Sequence, residues 1–304
     1  MTIKKENLIS FLLLFKRSFT ELGKNDPLRM AGATAFFTTF ALPPILVILI
    51  QLLGLIFTTE TIRNSLLETL GEIIGPEAIL QVMDVLTAFR ELANNIFITI
   101  AGFIFLLFVA TTLFHIISGS LNQLWKIRSV HKRSIGVVLR FRMKSIIVIM
   151  VAGLLFVIGL ISEALQAFLG NYIFSISPLL STYFNNIVHY SISIFIVTLW
   201  FAVLFRYLPD GRPNWRVALT GGLVTSILFN AGKILLRYLL GYSNINTIYG
   251  ASGSIVLLLL FVFYSSLILY YGAVFTKLWG SYKKKPIQPL PHAQRYVLSE
   301  APIE

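Results

Sequence analysis

The sequence predicts an all-α, polytopic membrane protein with six transmembrane helices and both termini in the cytoplasm. Three observations predict it. Of 304 residues, 56% are apolar and 12% charged, about half the charge of an ordinary soluble domain, and the mean hydropathy is +0.80. Several stretches exceed 18 residues with almost no charge, enough for a helix to cross a hydrocarbon core of ~30 Å while satisfying its own backbone. The Lys and Arg residues fall almost entirely to one side of those stretches. A cytoplasmic enzyme fold is excluded at this step.

The six spans read as Ala31–Phe57, Ile96–Leu121, Ile146–Leu169, Ile187–Phe205, Val217–Leu240 and Ile255–Leu278. Six cations precede the first span, seven lie between the second and third, three between the fourth and fifth, and five from the end of the sixth onward. The opposite side holds only Arg63 and Arg90, and Lys233 and Arg237 lie inside the fifth span. That asymmetry places residues 1–30 and the tail 279–304 in the cytoplasm, around a membrane domain of residues 31–278. It also accounts for the net charge of +12 without a nucleic-acid partner. The absence of cysteine excludes disulfides, thiol catalysis and Cys-ligated metal. No cleavable signal is visible at Leu8–Phe15, so the mature chain is expected to begin near Met1.

Three elements are expected beside the membrane. Leu8, Phe11, Leu12, Phe15, Phe19 and Leu22 recur at helical spacing, with Lys16, Glu21 and Lys24 elsewhere on the wheel. Such a helix either lies along the inner interface against anionic headgroups or packs on the ends of the spans. Segment 58–95 reads as an external helical hairpin broken at Gly75–Pro76, with Ile62, Leu66, Leu70 and Ile73 on one arm and Ile79, Met83, Leu86 and Phe89 on the other. It suits a lid, or a surface for an envelope partner. The tail after Lys285, with Pro286, Pro289 and Pro291, is expected to be extended and poorly ordered.

Ionisable groups inside a membrane are costly and mark candidate sites. The fifth span carries Ser226, Asn230, Lys233 and Arg237 on one helical face. At ~1.5 Å per residue, Glu163 in the third span and Lys233 lie at matching depth in the outer half, with His189 near them. Two readings stay open: a polar cavity lined by these six residues, or a structural Glu163–Lys233 pair with Arg237 snorkelling to the headgroups. His115 reads as a structural histidine, Pro43–Pro44 as a kink in the first span, and Trp215 as an interface anchor. The uncharged strip Tyr242–Ser254 suits either a re-entrant segment or a loop. No phosphate-binding loop, zinc-protease helix or nucleophile elbow occurs. The four histidines are scattered, and Asp210 is the single acid in the cytoplasmic links. No cofactor or metal is expected.

The motifs resemble the YihY/BrkB family of bacterial inner-membrane proteins across nearly the whole membrane core. Ala35–Pro44 is similar to its first-span signature, and Leu121-Asn-Gln-Leu-Trp125 to the motif ending its second. Tyr207, Pro209, Trp215 and Lys233 resemble its fourth-to-fifth span region, and Ile248–Ser254 followed by Tyr270-Tyr-Gly-Ala273 its last span. One position departs: Val274 stands where the family usually has an acid. Members have been called ribonuclease BN, yet Asp210 alone leaves a two-metal nuclease nothing to build on. The resemblance also implies links with serum resistance and envelope lipid homeostasis.

The leading expectation is therefore a non-enzymatic transporter or flippase-like protein for an anionic lipid or amphiphile, in the bacterial inner membrane. The alternative is a non-transporting scaffold acting through segment 58–95. Partners are membrane lipids, with a second copy of the chain or an envelope protein also open.

Overall fold

The computed structural model describes residues 5–53, 59–74, 79, 83, 87, 96–130, 143, 146–159, 161–162, 178–241 and 253–297. It is mostly helical. Helix α1 spans Lys5–Gly23, α2 Pro27–Leu53, α3 Thr59–Ile74 and α4 Ile96–Trp125. The described part of the third expected span is α5, Ile146–Gly159. Then come α6 at Pro178–Tyr207, α7 at Trp215–Gly241 and α8 at Gly253–Tyr282. Three segments, Tyr190–Tyr207, Trp215–Leu236 and Val256–Tyr282, are long and apolar enough to cross a membrane among the described residues. They match the fourth, fifth and sixth expected spans. Helix α6 is 30 residues long, where the sequence suggested 19 for that span. Its first turns hold Ser, Thr and Asn, which hydropathy does not score as membrane.

Helix α8 is the hub. It packs against α1, α2, α3, α4 and α7, while α6 rests on α7 and α2 on α4. Small residues permit the tightest of these contacts. A Cβ placed on Gly221 would come 1.9 Å from Thr276 Oγ1, and one on Gly272 would come 1.8 Å from Thr225 Oγ1. The two helices thus exchange a Gly and a Thr across one crossing, the close approach that small residues allow between membrane helices. Each Thr hydroxyl bonds back to its own helix, Thr225 to Gly221 O at 2.7 Å and Thr276 to Gly272 O at 2.6 Å, so no buried donor is stranded.

Of the two placements left open for helix α1, the contacts show packing on the ends of the spans. Leu14, Ser18 and Leu22 are buried, and Phe11 and Phe15 meet Phe275 edge-on or tilted at 6.0 and 5.1 Å. Leu12 and Phe19, expected on the same face, are instead exposed beside Lys16 and Arg17. Glu21 is drawn inward to Lys277 at 3.3 Å. The helix is a wedge, one face on protein and the other apolar and basic.

Among the described residues, four short strands depart from the all-α expectation. Strand β1 (Ile127–Ser129) pairs antiparallel with β4 (Ala293–Arg295), aligning Ile127 with Arg295 and Ser129 with Ala293. Strand β2 (Gly211–Arg212) pairs with β3 (Gln288–Pro289). The tail is therefore ordered through this region, contrary to expectation. Its prolines forbid helix, yet they are tolerated in two-stranded ladders whose edges are free. The turn that sends it back is a Schellman stop: Lys284 has φ 55°, Lys285 N–H donates to Gly280 O at 2.7 Å, and Lys284 N–H to Ser281 O at 3.0 Å. Ile287 then inserts into the main core with Leu121, Leu124, Phe205, Leu208, Tyr270 and Val274.

Segment 59–74 folds back onto the bundle. Leu66 is buried in the main core, and Leu67 packs with Leu46, Leu42 and Ile79. Apart from Ile79, Met83 and Thr87, the second arm of the expected hairpin lies outside the described residues.

Candidate functional site

Two residues of the expected stripe on α7, Ser226 and Asn230, face α6. Ser226 is fully buried, and its hydroxyl donates to Ile194 O at 3.0 Å. One turn on, Asn230 Nδ2 donates to Ser226 O at 2.9 Å, while Ser193 Oγ donates to Asn230 Oδ1 at 3.4 Å. Gly222 meets Thr198 O one turn earlier. In this antiparallel register position 233 comes level with backbone position 189 of α6. Lys233 is half-buried there and engaged with a neighbouring group. The next residues, Ile234, Leu235 and Tyr238, are more than half exposed. The seam is closed at Ser226, and an exposed apolar flank runs the length of α7 beside it, from Leu219, Leu223 and Ile227 to these three. Glu163 and the side chains of His189 and Arg237 lie outside the described residues. His115 sits on the exposed side of α4 and is also partnered.

A second polar assembly, which sequence reasoning missed, occupies the strand-bearing end. Asn122 Nδ2 donates to Asp210 Oδ2 at 3.0 Å, and Asp210 N–H donates to Asn122 Oδ1 at 2.8 Å. His292 Nε2 meets Asp210 Oδ1 at 3.0 Å, and Leu290 N–H donates to Asp210 O at 2.8 Å. One aspartate thus joins the end of α4, the α6–α7 link and the tail. Lys126 Nζ donates to Asn25 Oδ1 at 2.9 Å, and Lys277 Nζ to Leu124 O at 3.0 Å. Buried hydroxyls continue the set inward, with Ser118 Oγ on Leu208 O at 3.0 Å and Thr34 Oγ1 to Tyr270 OH at 2.5 Å. The signal in the sequence was Asp210 itself, a lone acid among basic links.

The Leu121–Trp125 motif has a physical reading in this setting. Leu121 and Leu124 are fully buried, Asn122 holds Asp210, and Trp125 Nε1 donates to Ala273 O at 2.9 Å. Val274, adjacent to that acceptor, is fully buried among apolar neighbours, where an acid would need a partner of its own. Trp125→Phe keeps the six-membered aromatic ring but removes the N–H donor together with the pyrrole part of the indole. It is expected to cost about 1–2 kcal/mol, read as a lowered thermal midpoint in detergent; an unchanged midpoint would mean the bond contributes nothing. No cluster of three or more His, Asp or Glu side chains exists among the described residues.

The chain matches the family model described as Virulence factor BrkB over residues 18–296. It is similar to a UPF0761 membrane protein of Teredinibacter turnerae, 23% identical over 279 residues, which are 90% of this chain and 62% of that protein. Similar proteins of the same name occur in Psychromonas ingrahamii, 26% identical over 81% of this chain and 80% of the relative, and in Delftia acidovorans, 27% identical over 81% and 57%. The chain spans about three fifths of the length of several of the relatives it matches. No solved structure matches it. None of the relatives' names carries an enzymatic activity.

Proposed function

We propose, for a chain that belongs to the virulence factor BrkB family of membrane proteins, that it moves an anionic lipid or amphiphile along the α6–α7 seam. The observation that carries this reading is Lys233, half-buried near the outer end of the apolar segment Trp215–Leu236. A cation at that depth is costly and is retained where it has work to do. Beside it runs the exposed apolar flank of α7, which includes Ile234, Leu235 and Tyr238. An anionic headgroup there would meet the ammonium, with Asn230 one turn away, while its chains stay in lipid. By sequence spacing Arg237 falls on the same helical face, and Glu163 and His189 are expected at a matching depth. Ser226 acts as a fastener below them. With the charge asymmetry assigning both termini to the cytoplasmic side, the end that bears Lys233 faces the outer leaflet. No nucleotide-binding motif occurs in the sequence, so a gradient, or none, drives the movement.

Scrambling of a fluorescent phosphatidylglycerol in proteoliposomes tests this. Lys233→Ala combined with Arg237→Ala is expected to slow scrambling about ten-fold, the worth of one charge-assisted hydrogen bond. Equal rates would discard the carrier. The closed Ser226–Ile194 contact favours a second reading, a non-transporting scaffold acting through residues 58–95; in that case deleting Glu60–Asn94 abolishes function and Lys233→Met does not.

A further inference from the structure

We propose that Arg206, Arg212 and Arg216, framed by Tyr207 and Trp215, bind the phosphodiester of an anionic lipid headgroup at the strand-bearing end of the bundle. The Tyr207 and Trp215 rings meet edge to face at 5.9 Å. The Arg206 guanidinium lies 4.7 Å from the Trp215 ring and 6.0 Å from Tyr207, and that of Arg212 lies 5.9 Å from the same tyrosine. Two like charges are thus held around one aromatic pair. Arg206 is anchored through Nη1 to Pro213 O, while its buried Nε has no acceptor among the described residues. Arg212 and Arg216 are exposed. No carboxylate pairs with any of the three among the described residues, and the nearest acid in sequence, Asp210, is committed to Asn122 and His292. Among the described residues the cluster is a fixed positive field, suited to an anion.

Its level in the membrane identifies the anion. Tyr207 ends one apolar segment and Trp215 begins the next, so the cluster sits at headgroup height, where tyrosine and tryptophan favour the interface. Leu219 and Leu223, exposed on the first turns of α7, offer an acyl chain a path directly beneath. Guanidinium is the side chain best matched to phosphate oxygens. Arg216 and Lys233 are separated by about 26 Å along α7, so this site is distinct from the proposed carrier seam and stands whether or not the chain moves lipid.

The test is lipid binding by the full chain in detergent, followed by native mass spectrometry with phosphatidylglycerol, phosphatidylcholine and inorganic phosphate as probes. Arg212 and Arg216 are exposed and β2 pairs through its backbone, so Arg212→Gln with Arg216→Gln is expected to keep the fold. The double variant is expected to bind phosphatidylglycerol at least ten-fold more weakly, with phosphatidylcholine weak on both proteins and millimolar phosphate failing to compete. Undiminished phosphatidylglycerol binding overturns the proposal. So does full competition by phosphate, which would make the ligand a soluble anion. An equal loss from Lys283→Gln with Lys284→Gln, exposed at the same end, would reduce the effect to net charge and overturn it as well.

Discussion

Gly222→Leu is expected to leave almost no monodisperse protein, a loss above about 3 kcal/mol. A Cβ at this position would lie 2.6 Å from Thr198 O, 3.0 Å from Ala202 N and 3.3 Å from Ala202 Cβ. Two of those atoms are backbone, so relief requires moving the 30-residue helix α6 rather than turning a side chain. Displacing α6 also breaks the Ser226–Ile194 and Ser193–Asn230 hydrogen bonds, because they share the register. Gly221 and Gly272 are crowded differently: their nearest neighbours are threonine side chains, and alanine at either should cost about 1–3 kcal/mol. Gly32, with nothing within 4 Å of an added Cβ, is the control. Gly32→Ala is expected to be neutral or to stabilise by up to about 1 kcal/mol through helix propensity. Size-exclusion profiles and thermal midpoints in detergent check the series. A Gly222→Leu protein that is as abundant and as stable as Gly32→Ala would show that α6 is not seated as described.

What the sequence made legible follows from the range of each interaction. Helices α6, α7 and α8 were readable because a long apolar run needs no partner to declare itself. The Ser226–Asn230–Lys233 stripe was readable because its spacing of four and three is local to one helix. Which neighbour the stripe faces was not, since the register of α6 against α7 depends on Gly222 meeting Thr198. Helix α1 shows the limit of periodicity: hydropathy scores Phe11 and Phe19 alike, although one packs on Phe275 and the other is exposed. Lipid and protein interior are equally apolar, so pattern alone cannot assign the faces. The strands left no trace at all. Two or three residues have no period, and their partners lie as far off as Ile127 from Arg295. The Asp210–His292 contact bridges 82 positions, which is why four histidines that look scattered in the sequence include one placed with care.

That contact carries the second large effect. Asp210→Ala is expected to destabilise the strand-bearing end by about 2–4 kcal/mol, because it strands Asn122 Nδ2 and the His292 ring in a site where the acid itself is only 18% exposed. The backbone bonds from Asp210 N–H to Asn122 and from Leu290 N–H to Asp210 O are untouched chemically. They lose the side-chain clamp that aligns the α6–α7 link with the tail. Asp210→Asn should cost less, since an amide oxygen still accepts one of the two bonds. The local consequence separates this from general destabilisation. Arg295 is held in β4 opposite Ile127, with its guanidinium on Ile287 O, so trypsin should cut after it slowly in the wild type. Freeing the tail in Asp210→Ala should raise that rate by ten-fold or more, tracking the population of the opened tail. Cleavage after Lys283 and Lys284, already exposed, should change little. Coupling is the decisive measurement: in a double-mutant cycle Asp210→Ala and His292→Ala should be strongly non-additive, because they remove the same bond. Fully additive effects on stability and on Arg295 cleavage would mean that the aspartate and histidine do not hold the tail, and that β3 and β4 stay in place by backbone pairing and the burial of Ile287 alone.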